Sequence, residues 1–286
     1  MYIEITEFLS NISNPLLAAI FEWITILAEK YFIVAIACLI YWCIDKKKGE
    51  RLVFLICGGL GINSIFKNIF RVSRPFDVSD KVKVIRGHTA TGYSFPSGHT
   101  QNAAVVSGGL MKYTSKNIYK LLLFIYALLV AFSRLILGVH YITDVLAALL
   151  IGFLWVFLGG RLYTFCQKRG NYYYFIFTIP SLLALIPLLI KMQKPPEPDD
   201  VLTGLGITFG VVFGIILENK HVNFHISKNF KKNTLRYIIG LLSLLLIMFL
   251  LKIILPANYI CRVIRYFLLG IFATLIYPYI FKKYNL

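Results

Sequence analysis

Apolar runs of roughly bilayer-spanning length follow one another through most of this 286-residue chain. They occupy roughly 31–44, 51–70, 95–112, 118–138, 141–163, 172–190, 201–217, 236–255 and 262–281. A hydrocarbon core takes about 20 apolar helical residues to cross. The pattern therefore predicts an all-α fold, a polytopic membrane helix bundle with about nine crossings, the first of them short. Composition agrees: 58% of the residues are hydrophobic and 15% charged, against about 25% charged in soluble domains. No polar linker is long enough to separate folding units, so one integral-membrane domain is expected. The first ten residues, MYIEITEFLS, carry Glu4 and Glu7 instead of a basic leader region. Insertion is expected to use an uncleaved apolar segment. Residues 15–29, PLLAAIFEWITILAE, start with a proline suited to a helix start and read as an interfacial or re-entrant helix, or as a further crossing.

The net charge is +17. In a soluble protein that would point to nucleic acid. Here most basic residues lie in short connections between apolar blocks, where they set topology, so no nucleic-acid partner is expected. Taking alternate connections, one side of the membrane receives Lys46, Lys47, Lys48 and Arg51; Lys112, Lys116 and Lys120; Arg161, Lys168 and Arg169; Lys220, Lys228, Lys231, Lys232 and Arg236; and Lys282 and Lys283. By the positive-inside rule that side is cytoplasmic. One connection on the other side is also basic: residues 71–94 hold Arg71, Arg74, Lys81, Lys83 and Arg86. Such a loop is costly to topology unless it binds an anion. The connection KMQKPPEPDD, 191–200, reads as a stiff solvated connector. The five cysteines lack metal-site spacing and read as buried free thiols.

Three motifs end up on the outer side, although the topology was counted from other residues. KNIFRVSRP places Lys67 and Arg74 seven residues apart, about two helical turns, and Pro75 biases the helix to stop there. Alone, these cations could be interfacial anchors. YSFPSGH offers Ser97 as a cap, Gly98 where a ligand could approach backbone closely, a helix start that favours oxyanions, and His99, which titrates near neutral pH. Alone, it could be an ordinary capped helix. SRLILGVHYITD ends one block with Arg134, turns at Gly138 and opens the next with His140 and Asp144. Their i, i+4 spacing lets the carboxylate hold the imidazole on a continuous helix, and Arg134 has a fork matched to phosphate. Ionisable residues at a membrane boundary are expensive, and function is their default explanation. Together the cations and helix start can hold a phosphoryl group, which one histidine could attack while the other protonates the leaving group.

These motifs resemble the signature of the type-2 phosphatidic acid phosphatase (PAP2) superfamily: K-x6-RP as Lys67 to Arg74-Pro75, PSGH as Pro96 to His99, and SR-x5-H-x3-D as Ser133-Arg134 to His140 to Asp144. The resemblance covers roughly residues 30–165. It implies that His140 is the nucleophile and forms a phosphohistidine, that Asp144 orients it, and that His99 protonates the leaving group. Lys67, Arg74, Ser97, the Gly98 backbone and Arg134 would bind phosphate. It implies no metal and no cofactor. Because the motifs sit at the bilayer boundary on the outer side, a lipid phosphate or diphosphate is expected to be drawn from the bilayer and dephosphorylated at the outer face, in what is expected to be a bacterial cytoplasmic membrane. The expected organisation is an N-terminal interfacial region at 1–30, a catalytic core of about six helices at 31–165, and additional transmembrane helices at 166–286. Those last helices are candidates for shaping a lipid groove, forming a homo-oligomer or binding a second ligand. Lys81, Lys83 and Arg86 are candidates for recruiting the headgroup, His88 for supporting the site, and Arg262 and Arg265 for touching a headgroup or anchoring at the interface. Two other functions use the same residues: phosphotransfer to another acceptor, and transport of an anionic lipid, which leaves the His140–Asp144 spacing unexplained.

Overall fold

The computed structural model describes residues 2–12, 14–189, 198–284 and 286. Among these residues all regular structure is helical: α1 (Tyr2–Ile12), α2 (Pro15–Ile26), α3 (Lys30–Leu39), α4 (Lys46–Phe70), α5 (Pro75–Val78), α6 (Gly98–Met111), α7 (Asn117–Ile136), α8 (Ile142–Arg169), α9 (Ile179–Leu183), α10 (Ile186–Leu189), α11 (Pro198–Leu217), α12 (Phe230–Ile254), α13 (Tyr259–Ile271) and α14 (Tyr277–Lys283). Of the connector expected at 191–200, residues 191–197 lie outside the described residues and Pro198–Asp200 open α11.

The all-α membrane bundle holds, and the count of nine crossings is not confirmed. Among the described residues six helical stretches are long and apolar enough to cross a bilayer, seven if α2 and α3 with its π-helical extension, bent by 45°, form one broken span. The same bend leaves a re-entrant pair as the other description of residues 15–44. Block 95–112 gives only the fourteen residues of α6, about 21 Å of helix. Block 172–190 holds Pro180 and Pro187, which interrupt the helical ladder. It forms a 3-10 stretch, Asn171–Thr178, followed by the short α9 and α10.

The chain divides into two compact units interleaved in sequence. One is drawn chiefly from Met1–Ile33 and Ile62–Leu158, the other from Val34–Gly61, Gly159–Leu185 and Pro198–Leu286. In the first, α7 is the central helix. Small residues let it approach its neighbours: Ala127 and Val130 pack with Ala103 of α6 and with Ala28 after α2. Phe21 of α2 meets Phe132 edge-on at 5.4 Å and joins Ile136, Leu137 and Val139 in a second cluster. At Gly138 the chain turns with φ +69°, and a side chain there would collide with the Lys83 carbonyl. Glycine is therefore required on both backbone and steric grounds.

In the second unit, α11 presents Gly206, Gly210 and Gly214 to α13 and the turn after it, so close that a methyl group at any of them would clash. Small residues spaced by four are the usual way for membrane helices to pack backbone to backbone. The unit also buries a polar knot. Glu218 pairs with Lys46 at 2.6 Å and accepts from the Phe224 N–H at 2.8 Å. Glu50 accepts from Lys47 and from the Tyr163 hydroxyl at 2.9 Å. The two expected headgroup-or-anchor arginines are engaged within this unit: Arg262 with Asp199 at 2.7 Å, Arg265 with the Leu251 and Leu255 carbonyls at the end of α12.

Candidate active site

Within the first unit α4 and α7 end, and α6 and α8 begin, around a loop from residue 71 to 97. The eight candidate site residues come from these ends and this loop. The helix carrying Lys67 stops earlier than the spacing implied: α4 ends at Phe70, and Arg71 takes a left-handed φ of +48°. Arg74 is the N-cap of α5, with Pro75 at N1. Lys67 and Arg74 therefore do not share a helix face; a turn brings them to the same carbonyls. Lys67 Nζ donates to Tyr93 O at 2.7 Å and Thr91 O at 3.4 Å. Arg74 Nη2 donates to Thr91 O at 2.6 Å, its Nε to Gly92 O at 2.9 Å, and its Nη1 to Val139 O at 3.0 Å.

His140 and Asp144 meet, again by a route other than a shared helix face. α8 starts at Ile142, after His140. Asp144 folds back over the helix start: its Oδ2 accepts from the Tyr141 N–H at 2.9 Å and from His140 Nδ1 at 3.1 Å. With its proton on Nδ1, the imidazole keeps a lone pair on Nε2, and that atom lies 3.4 Å from Arg74 Nη1. His140 is 2% exposed. Burial, and then the charges of Arg74, Arg134 and Lys67, hold its pKa well below the ordinary histidine value. The ring is thus neutral and able to act as a nucleophile near pH 7.

Arg134, in the last turn of α7, is fully buried. Its Nη1 donates to Thr25 Oγ1 at 2.8 Å, while Nε and Nη2 have no hydrogen-bond partner among the described residues. His99, in the first turn of α6, likewise has an unpartnered, buried Nε2. It lies within the electrostatic reach of Arg134, His140, Lys67 and Arg74. Buried polar groups without partners are rare, and several of them within electrostatic reach of one group of cations fit an oxyanion. Ser97 is the N-cap of α6 with no side-chain cap bond; its Oγ lies 3.0 Å from the Thr100 hydroxyl, and its N–H donates to Asp144 O at 3.2 Å. At Gly98 a side chain would meet nothing closer than Asn63 Oδ1 at 3.6 Å, so packing within the protein does not require glycine there.

Sequence reasoning missed Ser94, whose hydroxyl donates to Asp144 Oδ2 at 2.5 Å. It also missed Thr25 and the carbonyls of 91–93. An isolated Ser or Thr carries no spacing signal, and a carbonyl carries no side-chain signal at all. Of the other candidates, Arg86 is paired with Glu29 at 2.6 Å, Lys81 and Lys83 are exposed, and His88 lines a cavity of about 590 Å³ that also touches Arg74, Asp77 and Tyr93.

A polytopic helical bundle that buries a histidine–aspartate pair beside three cations has the make-up of an integral-membrane phosphatase. The PAP2 superfamily model matches residues 49–168, and that of the PAP2 superfamily phosphatase transmembrane extension matches residues 202–286. The chain belongs to the PAP2 superfamily and is a membrane phosphatase of that type. It is 33% identical over 154 residues to undecaprenyl-diphosphatase BcrC of Bacillus subtilis, covering 52% of this chain and 76% of that protein. It is 27% identical over 173 residues to lipid A 4'-phosphatase of Porphyromonas gingivalis, covering 56% and 72%. Among solved structures, Aquifex aeolicus LpxE superposes with a TM-score of 0.50 at 25% identity, over 56% of this chain and 94% of that one.

Proposed function

We propose that this chain hydrolyses a lipid phosphate or diphosphate at the outer membrane face through a phosphohistidine on His140. The observation that carries the reading is the set of buried nitrogens without a hydrogen-bond partner among the described residues, Arg134 Nε and Nη2 and His99 Nε2, beside the His140–Asp144 pair. Lys67, Arg74 and Arg134, with the α6 start at Ser97 and Gly98, hold the phosphate oxygens. His140 Nε2 attacks phosphorus while the P–O bond to the leaving group breaks. Asp144 stabilises the imidazolium that develops, keeping the proton on Nδ1. His99 gives its proton to the departing oxygen. A bound dianion raises the affinity of His99 for that proton, since it offsets the surrounding cations. Water, deprotonated by His99, then attacks the phosphohistidine, releasing inorganic phosphate and restoring both histidines. Fixed cations supply the charge stabilisation, so no step calls for a metal.

Two relatives are named for undecaprenyl diphosphate and lipid A. Both names join a phosphate to a membrane lipid, and a site at the ends of apolar helices lets the tail stay in the bilayer. Undecaprenyl diphosphate, phosphatidylglycerophosphate, phosphatidic acid and sphingoid phosphates are the candidate substrates. Sidedness rests on the helix ends remote from the site: Lys46 to Lys48 open α4, Lys112 and Lys116 lie between α6 and α7, and Lys168 and Arg169 close α8. The positive-inside rule assigns those ends to the cytoplasm and the site to the other face.

A panel of lipid phosphates in detergent with EDTA, run with and without acceptor lipids, tests the reading. Phosphate release that survives EDTA supports it. Label appearing in the acceptor instead of free phosphate replaces it with phosphotransfer, and inactivity of folded protein on every substrate contradicts it.

A further inference from the structure

The N-terminal helices fall outside the motifs, yet they reach the site. Thr25 is fully buried on α2, and its hydroxyl is the sole hydrogen-bond partner of the Arg134 guanidinium among the described residues. No described carboxylate lies within ion-pair distance of Arg134, although the group is fully buried. An arginine side chain has several rotamers and costs conformational entropy to fix, so one directional contact decides where its two free donor edges point. α2 and the residues just after it are built to hold that contact still. Phe21 packs on Phe132 and Ile136 of α7, Ala28 packs on Ala127 and Val130, and Tyr126 donates to Leu27 O at 2.7 Å.

The same N-terminal segment staples the loop whose carbonyls hold Lys67 and Arg74. Glu7 Oε1 accepts from the Ser79 hydroxyl at 2.5 Å, Asn11 donates to Lys81 O at 2.9 Å, and the Lys83 N–H donates to Ser10 Oγ at 3.2 Å. Glu29 binds Arg86 at 2.6 Å.

We propose that Thr25 is a positioning residue of the phosphate site: its hydroxyl fixes the Arg134 guanidinium so that Nε and Nη2 face the substrate phosphate, making α2 a working part of the active site. This rests on Arg134 binding phosphate, as argued above. Thr25 acts through Arg134 and does not touch substrate itself.

The test uses the full-length protein in detergent, with orthovanadate inhibition and phosphate release from a lipid phosphate as probes. Thr25→Val keeps the shape and removes the hydroxyl. The KM for substrate and the inhibition constant for vanadate should both rise about tenfold, the size of one hydrogen bond to a charged group. Thr25→Ser should restore both. In an Arg134→Lys background the same Thr25→Val change should have almost no further effect, because its route of action is gone. Wild-type KM and vanadate inhibition in Thr25→Val overturn the proposal. So does an equal loss in Thr25→Ser, or a Thr25→Val effect that persists in full beside Arg134→Lys. If Arg134→Lys alone leaves vanadate inhibition and KM at wild-type values, the phosphate-site reading fails first, which separates the two failures.

Discussion

Ser94 donates a 2.5 Å hydrogen bond to the same Asp144 oxygen that accepts from Nδ1 of His140. Asp144 Oδ2 thereby holds three donors, the Tyr141 N–H being the third. The carboxylate is fixed before it fixes the imidazole. Replacing Ser94 by Ala removes one of the three and loosens the pair without leaving Oδ2 bare. We expect kcat to fall about tenfold, near the cost of one bond to a charged group, with KM changed little. Steady-state kinetics of Ser94→Ala check this; an unchanged kcat would deny Ser94 a part in orienting the histidine.

The acid limb of the pH–rate profile follows from the environment of His140. Only the neutral ring can attack, and burial, followed by the three cations, pushes its pKa down. Activity is therefore retained as pH drops through about 6.5, the ordinary histidine value, and is lost only as pH falls through the lower, shifted value. The profile of kcat/KM, with the substrate's own phosphate ionisation measured and divided out, reads this directly. An acid limb above about pH 6.5 would contradict the assignment.

Gly98 separates packing from ligand approach. Since the nearest protein atom to an added methyl is Asn63 Oδ1 at 3.6 Å, Gly98→Ala should fold and melt like the wild type. If phosphate docks on the α6 start, the methyl intrudes on it, and kcat/KM should drop about a hundredfold, as when an oxyanion donor is lost. A variant with full activity would remove the α6 start from the phosphate site.

Arg134 should reveal a conflict between stability and function. A buried guanidinium with one neutral partner carries a desolvation cost that an apolar side chain avoids. Arg134→Met is expected to abolish turnover while leaving the melting temperature in detergent equal or higher. A large loss of stability would mean that Arg134 serves the fold rather than the substrate.

Much of the candidate site is legible in the sequence because it sets charged or titratable side chains in places where a membrane chain otherwise avoids them. Lys67, Arg74, His99, Arg134, His140 and Asp144 stand out for that reason. The routes that bring them together were not legible. The left-handed turn at Arg71 parts Lys67 from Arg74, and Asp144 reaches His140 by folding over a helix start. Thr25 and Ser94 are lone hydroxyl residues whose partners lie 109 and 50 positions away, so no local pattern marks them. The expected nine crossings and the six or seven candidate spans among the described residues differ where hydropathy and helicity part company: Pro180 and Pro187 sit in an apolar run that reads as a span, and α6 is shorter than its block.

Hydrolysis by this route passes through a phosphorylated His140. The direct measurement is to mix the protein with a lipid phosphate carrying labelled phosphorus, quench within the first turnover under alkaline conditions that preserve phosphohistidine, and locate the label by peptide mass spectrometry. Label is expected on His140, disappearing on further incubation, and none in His140→Ala, which should be folded and inactive. Label on another residue, or normal turnover by His140→Ala, would contradict it.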